Sequence, residues 1–243
     1  MSTGEKTVTN IKTYYCGYCT NNLKLVFKGQ KDEKRQFPAA AVLFKHNGDY
    51  MLFDTGYSKR VLQNGIISKI YNALNPIHFE DKDSLKAQLE LDGILPSQIK
   101  TIIISHLHAD HIGGLKDFPQ SQIIISRKEL NSLKDLLVFK NLLPDDFLDR
   151  IVTTQKADIF GDNSVILIDL PGHTEGQIGI LFSEYNRLYA ADSCWGGDLL
   201  GKPMKLIARK IQSNYTEYLR SQEKIKQMIS DGVEVIFTHE VNL

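Results

Sequence analysis

Short apolar blocks recur along the chain, separated by polar stretches that carry turn signals. Two of them, 41–44 and 50–53, flank Asn47-Gly48, a dipeptide suited to the φ > 0 positions of a tight turn, so this pair predicts a β-hairpin ending at Asp54-Thr55-Gly56. The runs 101–105 and 123–125 are built on consecutive isoleucines and predict buried strands. Further strands are predicted at 165–170, 178–182, 187–191 and 233–237. Helical spacing appears between them. Asp83 or Ser84 can cap a helix running through Leu85 and Leu89 to a stop near Gly93. Leu130, Leu133 and Leu137 predict an amphipathic helix over 128–139 with that stripe in the core. Asn214 with Glu217 resembles a capping box opening a helix through Tyr218, Ile225 and Ile229 that ends at Gly232. Residues 57–82 follow no single period and predict a loop with one short helix, placed as a cap. Strands in both halves with helices between them predict a layered α/β protein.

Composition narrows the function classes. Lys+Arg and Asp+Glu balance at 29 each, which leaves no basic excess to displace counterions from a nucleic-acid backbone, so nucleic acid is not an expected partner. No run approaches the roughly 18 apolar residues of a membrane span, and residues 1–10 lack the apolar centre of a secretory signal. No membrane partner and a cytoplasmic location are therefore expected. Three cysteines are too few for a disulfide scaffold, so reduced thiols are expected, including Cys16-Gly17-Tyr18-Cys19 as two thiols in a loop beside a pocket. No linker divides the chain, and 243 residues suit one domain spanning 1–243. The basic run Lys202, Lys205, Arg209 and Lys210 reads as a solvated helix face.

The chemistry concentrates at Ser105-His106-Leu107-His108-Ala109-Asp110-His111-Ile112-Gly113-Gly114, directly after a predicted strand. Three imidazoles and a carboxylate within six residues are the ligand types that zinc and similar divalent ions take. A core histidine needs only one or two hydrogen-bond partners, which accounts for one buried histidine and not for three together. Two more of the seven histidines, His173 and His239, end predicted strands, as does Asp192. His46 and His78 read as ordinary solvated histidines.

These segments, taken in order, resemble the metallo-β-lactamase fold superfamily of metallohydrolases: Asp54-Thr55-Gly56, the His106-to-Gly114 motif, Pro171-Gly172-His173-Thr174, a lone Asp192 and a terminal His239. The resemblance implies a four-layer αββα sandwich with metals along the open edge between its sheets. It also implies one ion held by His106, His108 and His173 and a second by Asp110, His111 and His239, with Asp192 bridging them. The cofactors implied are two divalent metal ions, zinc first, with manganese or iron(II) also compatible. Asp110 and Asp192 carry the catalytic roles, and Asp54 holds the site from behind. Cys194, with Asp192 already in the bridging position, reads as a packed neighbour rather than a ligand.

The plan is most similar to the N-acyl-homoserine-lactonase-like group, which places Tyr three residues after the bridging Asp. Here that position is Trp195, which puts homoserine lactone itself in doubt. The expected activity is hydrolysis of a small carboxylic ester, lactone or thioester, with Tyr14, Tyr15, Tyr57 and Trp195 as the pocket rim. The alternatives are a phosphodiesterase or nuclease of the same superfamily, or a non-catalytic metal-dependent binding protein. The expected partner is a small acyl compound, and a homodimer is compatible with the plan.

Overall fold

The computed structural model describes residues 6–63, 65–154 and 156–240. Its strands are β1 (Val8–Asn22), β2 (Lys34–His46), β3 (Asp49–Phe53), β4 (Ile77–His78), β5 (Ile99–Ile104), β6 (Gln122–Ser126), β7 (Ile151–Thr154), β8 (Val165–Asp169), β9 (Ile178–Phe182), β10 (Arg187–Tyr189) and β11 (Glu234–Ile236). The α-helices are α1 (Leu23–Val26), α2 (Gly65–Leu74), α3 (Leu85–Leu91), α4 (Ala109–Ile112), α5 (Phe147–Arg150) and α6 (Tyr215–Ser230). The strands form a seven-stranded sheet, β4-β1-β2-β3-β5-β6-β7, and a four-stranded sheet, β11-β10-β9-β8.

The two-residue period of the strands divides their side chains between layers. Val42, Phe44, Met51, Phe53, Ile103 and Ile124 of the large sheet share one buried cluster with Val165, Leu167, Ile178, Ile180 and Phe182 of the small sheet. Their neighbours Leu43, Leu52, Ile102, Ile104, Ile123 and Ile125 join a second cluster that contains Leu85 and Leu89 of α3. Leu188 and Ala190 join Tyr218 and Ile225 of α6 in that cluster too. Two sheets face to face with helices outside make the expected αββα sandwich.

The hairpin forms as predicted, with Asn47 at φ 49° and Gly48 at φ 89° joining β2 to β3. Ser84 Oγ accepts from Ala87 N at the start of α3, and Asn214 accepts from Thr216 N and Glu217 N at the start of α6. Glu217 turns instead to Arg220, so only half of the capping box is made. Residues 57–82 carry a 3-10 turn, α2 and β4, within their described part.

Four expectations are corrected. Cys16 and Cys19 lie inside β1, not in a loop. Bulges between Thr9 and Lys12 and between Tyr15 and Tyr18 interrupt its two-residue period, and the strand continues through both cysteines to Asn22. His46 is buried rather than solvated: its ring stacks on Phe160 at 3.8 Å, and Nε2 lies 2.8 Å from Asp162 Oδ2. The basic run at 202–210 lies in extended chain and a 3-10 turn, where Arg209 donates to the Met204 carbonyl and sits over the Tyr215 ring.

The helix expected over 128–139 is a 3-10 turn, Arg127–Lys134, and what it buries is Glu129 and Ser132, three residues apart. Leu130 and Leu133 are only partly buried. The cause is a polar demand that outweighs the leucine stripe. Glu129 accepts from Leu107 N at 3.0 Å, Thr174 Oγ1 at 2.6 Å and Gly176 N at 3.1 Å, joining the loop after β5 to the loop after β8. Burial pushes its carboxyl up to about 7, while these donors pull the other way. Gly176 permits the approach, since a Cβ there would lie 2.1 Å from Glu129 N.

Glu129→Ala strands these three donors in the interior, so at roughly 1–3 kcal/mol per orphaned group it should cost at least about 3 kcal/mol. Glu129→Gln, which keeps an acceptor oxygen, should cost less. Urea unfolding measures both, and a loss below about 1 kcal/mol for the alanine variant would contradict the account. Burial pushes the Cys19 and Cys194 thiols up to about 12 and raises Cys16 too. None of the three should react with a thiol-specific disulfide reagent at pH 8 in the folded protein, and all should react in guanidinium.

Candidate metal centre

Five strands end at one edge of the sandwich, and each delivers a polar side chain there. β3 leads into Asp54, β5 into the loop carrying His106 and His108, β8 into His173, β10 into Asp192 and β11 into His239. α4, the short helix after β5, adds Asp110 and His111. Two non-glycine residues at this edge take the left-handed conformation, Asp54 at φ 62° and Ala191 at φ 47°, at roughly 1–2 kcal/mol each. Asp54 is held in it by accepting from Ser105 N and Ser105 Oγ, both at 2.7 Å. Gly113 and Gly114 let α4 close on this turn. A Cβ on Gly113 would lie 2.6 Å from Gly56 O, and one on Gly114 2.7 Å from Thr55 O.

The seven residues predicted as ligands converge. His106, His108 and His173 form one group, and Asp110, His111, Asp192 and His239 another, with one candidate ligand atom each, all within 4.8 Å of one another inside each group. Asp192 lies between the groups: its Oδ2 is 3.1 Å from His239 Nε2 and 3.4 Å from His173 Nε2, and its Oδ1 is 3.0 Å from His111 Nε2. Asp110 Oδ2 is 3.7 Å from both His111 Nε2 and His239 Nε2.

Partners outside the cluster fix most of the rings. His111 Nδ1 is 2.8 Å from Asp54 Oδ2, His173 Nδ1 is 2.9 Å from Gln212 Oε1, and His239 Nδ1 is 2.8 Å from the Pro38 carbonyl. Ser105 Oγ lies 3.0 Å from His106 Nδ1. With Nδ1 engaged, each of these four rings turns Nε2 toward the common volume, while His108 presents Nδ1, 2.8 Å from His173 Nε2. Such outer contacts orient metal-binding imidazoles and fix their tautomers. Gln212 and Pro38 have no local sequence signal, because each reaches its histidine across a long stretch of chain.

A fit for cations shows in the atoms left over. His106 Nε2, His111 Nε2 and Asp192 Oδ1 are buried without a hydrogen-bond partner, although His111 Nε2 approaches Asp192 Oδ1. Buried lone pairs aimed at one another are costly unless a positive charge lies between them. The titration behaviour divides along the same line as the two groups. Burial, reinforced by neighbouring imidazoles, lowers His106 and His108 well below the ordinary histidine value, and burial lowers His173. Burial acts on His111 and His239 in the same sense, but Asp192 and Asp110 outweigh it, and both are raised.

The pocket over these groups has a volume of about 90 Å³. Tyr57 and Trp195 line it, as expected. Tyr14 does not: its hydroxyl donates to Asp92, and neither it nor Tyr15 is among the lining residues. Their places are taken by Tyr71 of α2 and by Phe37, neither singled out from sequence. Tyr71 OH lies 3.4 Å from Tyr57 OH. Trp195 packs edge-on against Phe37 at 5.4 Å and His239 at 6.3 Å, and its indole N–H is buried without an acceptor among the described residues. Cys194 is outside both ligand groups and its thiol lies 3.0 Å from the Gly196 carbonyl, as a packed neighbour.

Residues 35–238 match the family described as the Metallo-beta-lactamase superfamily. The probable metallo-hydrolase Mb2322c of Mycobacterium bovis is 24% identical over 208 residues, covering 76% of this chain and 66% of its own length. The N-acyl homoserine lactonase AttM of Azorhizobium caulinodans is 26% identical over 159 residues, covering 60% of each chain. The matches thus span less than two-thirds of these relatives. Among solved structures, a B. thuringiensis AiiA variant with N-decanoyl-L-homoserine bound at its active site superposes with a TM-score of 0.79 at 20% identity, over 97% of this chain and 94% of that one. AidC, a dizinc quorum-quenching lactonase in complex with a product, gives 0.69 at 18% identity, over 96% and 88%. At these identities the structural likeness establishes the fold alone. The family match covers most of the sequence, and the chain belongs to the metallo-beta-lactamase superfamily.

Proposed function

We propose that this chain is a dinuclear metal-dependent hydrolase that cleaves a small carboxylic ester, lactone or thioester. The observation that carries the reading is the pair of buried His/Asp groups, sharing Asp192, at the floor of a pocket walled by Tyr57, Tyr71, Phe37 and Trp195. His106, His108 and His173 would hold one divalent ion, Asp110, His111 and His239 the other, and Asp192 both. Two such ions supply a nucleophilic water near neutral pH and polarise the carbonyl under attack.

The protein's own groups do the rest. Asp110 lines the pocket, where its Oδ2 can accept the proton that water gives up and pass it toward the leaving atom. Burial raises Tyr57 and Tyr71 well above the ordinary tyrosine value, so both phenols stay protonated and serve as donors to a substrate oxygen. The pocket lies over both ligand groups between aromatic walls, which suits it to receive the reacting acyl group. The lactonases among the relatives support an acyl substrate, and Trp195 at the position where that group has Tyr weighs toward a better leaving group than the alkoxide of homoserine lactone.

The discriminating assay compares kcat/KM for a thioester, an activated ester, a homoserine lactone and a phosphodiester, with and without chelator. The acyl substrates should be cleaved and chelator should abolish it. Phosphodiester cleavage orders of magnitude faster than every acyl substrate would overturn the proposal. The pKa shifts add a pH signature. His111 and His239 are raised, so an ion binding beside them must displace protons, and its affinity falls as pH drops. His106, His108 and His173 are lowered and hold no proton to displace near neutrality. Dialysis from pH 8 to pH 6 should therefore release one ion before the other, read as metal content against pH. Simultaneous loss of both would contradict the division.

A further inference from the structure

A second cavity, of about 750 Å³, shares no lining residue with the metal pocket. It lies where both sheets end: Thr154 comes from β7, the last strand of the large sheet, and Ile166 and Ile168 from β8, the last strand of the small one. The outer edge of β8 is partly covered, since Leu167 N donates to the Ala157 carbonyl at 2.8 Å and Asp158 bridges to Ile166. The cavity lies between these two edges.

The charge around this cavity is one-sided. Arg127, Lys128, Lys156 and Lys224 line it against a single carboxylate, Asp169, in a chain whose cations and anions are equal in number. Among the described residues none of the four cations has a carboxylate oxygen within 4.0 Å. Lys224 Nζ is held over the cavity by donating to the Asp169 backbone carbonyl at 3.1 Å, which leaves its charge unneutralised. Between the cations the lining is aliphatic, with Ile166, Ile168 and Ile178, and it contains no aromatic ring.

We propose that this cavity binds a small phosphorylated molecule with an aliphatic body. Four unpaired cations suit a group that carries nearly two negative charges and several acceptor oxygens, as a phosphate monoester does, better than a single carboxylate. Arg127 can engage such a group through two parallel N–H donors, and the lysines act as point charges. The isoleucines bury apolar surface of the attached chain. A nucleotide base would find no ring to stack on. A cavity of this volume falls within the range of small-molecule sites.

The test is calorimetric titration of the metal-loaded full-length protein with octyl phosphate, below the concentration at which it forms micelles. Inorganic phosphate and AMP serve as comparison probes. Octyl phosphate should bind saturably, at least tenfold more tightly than either. Lys156→Gln/Lys224→Gln should weaken it at least tenfold, with metal content and melting temperature unchanged. Both lysines are exposed and neither lies on the turn that carries Glu129. Absence of saturable binding would overturn the proposal, as would AMP or inorganic phosphate binding as tightly as octyl phosphate. Binding undiminished in the double variant would overturn it too, because it would place the phosphate on the metal centre.

Discussion

The structure depends on the convergence of five imidazoles and two carboxylates on one buried volume. Taken out of water, such groups are costly unless every lone pair is met, and an orphaned buried acceptor costs about 1–3 kcal/mol. His106 Nε2 is left in that state, while His111 Nε2 and Asp192 Oδ1 have only each other, at 3.0 Å. The surrounding chain does not relieve this strain but maintains it. Asp54, Gln212 and the Pro38 carbonyl engage the far nitrogens of His111, His173 and His239, and left-handed Asp54 and Ala191 fix the turns on which the cluster stands. A buried cluster of ligand-type atoms with satisfied outer nitrogens and an unpartnered inner His106 Nε2 fits a positive charge at its centre.

That organisation explains several local choices in the fold. Glycines at 113 and 114 follow from the contact between α4 and the 54–58 turn, where a Cβ would strike backbone oxygen. The buried Glu129 ties the two histidine-bearing loops together through Leu107, Thr174 and Gly176, so the distance from His108 to His173 is set by a carboxylate outside the cluster. Asp192 belongs electrically to both groups, and its carboxyl, raised by burial but pulled down further by His239 and His111, ends well below the usual carboxylate range. It is therefore ionised where two cations would meet.

Sequence made the ligands legible because they cluster in type and fall at the ends of apolar runs, both of which are short-range signals. The strands read at 41–44, 50–53, 101–105 and 178–182 were legible for the same reason, since each is a short apolar run buried on both faces. What stayed hidden depends on contacts distant in sequence. Glu129 is buried by donors 22 and 45 residues away, which turned an apparent leucine helix into a 3-10 turn. Tyr71 enters the pocket on α2, in a segment whose pattern supports no single period. The continuation of β1 through its two bulges as far as Asn22 is not legible either, and with it the burial of Cys16 against Gly56. Trp195 is placed three residues after Asp192 by the sequence, but its packing against His239 appears only in three dimensions.

The central claim is that two cations share this cluster through Asp192. The direct measurement is anomalous diffraction at the zinc edge from crystals of the zinc-loaded protein. Two peaks about 3.5–4 Å apart are expected. One should lie about 2.0–2.2 Å from nitrogens of His106, His108 and His173, the other at that distance from His111, His239 and Asp110, with Asp192 reaching both. A single peak, or two peaks with Asp192 contacting neither or only one, would contradict the account.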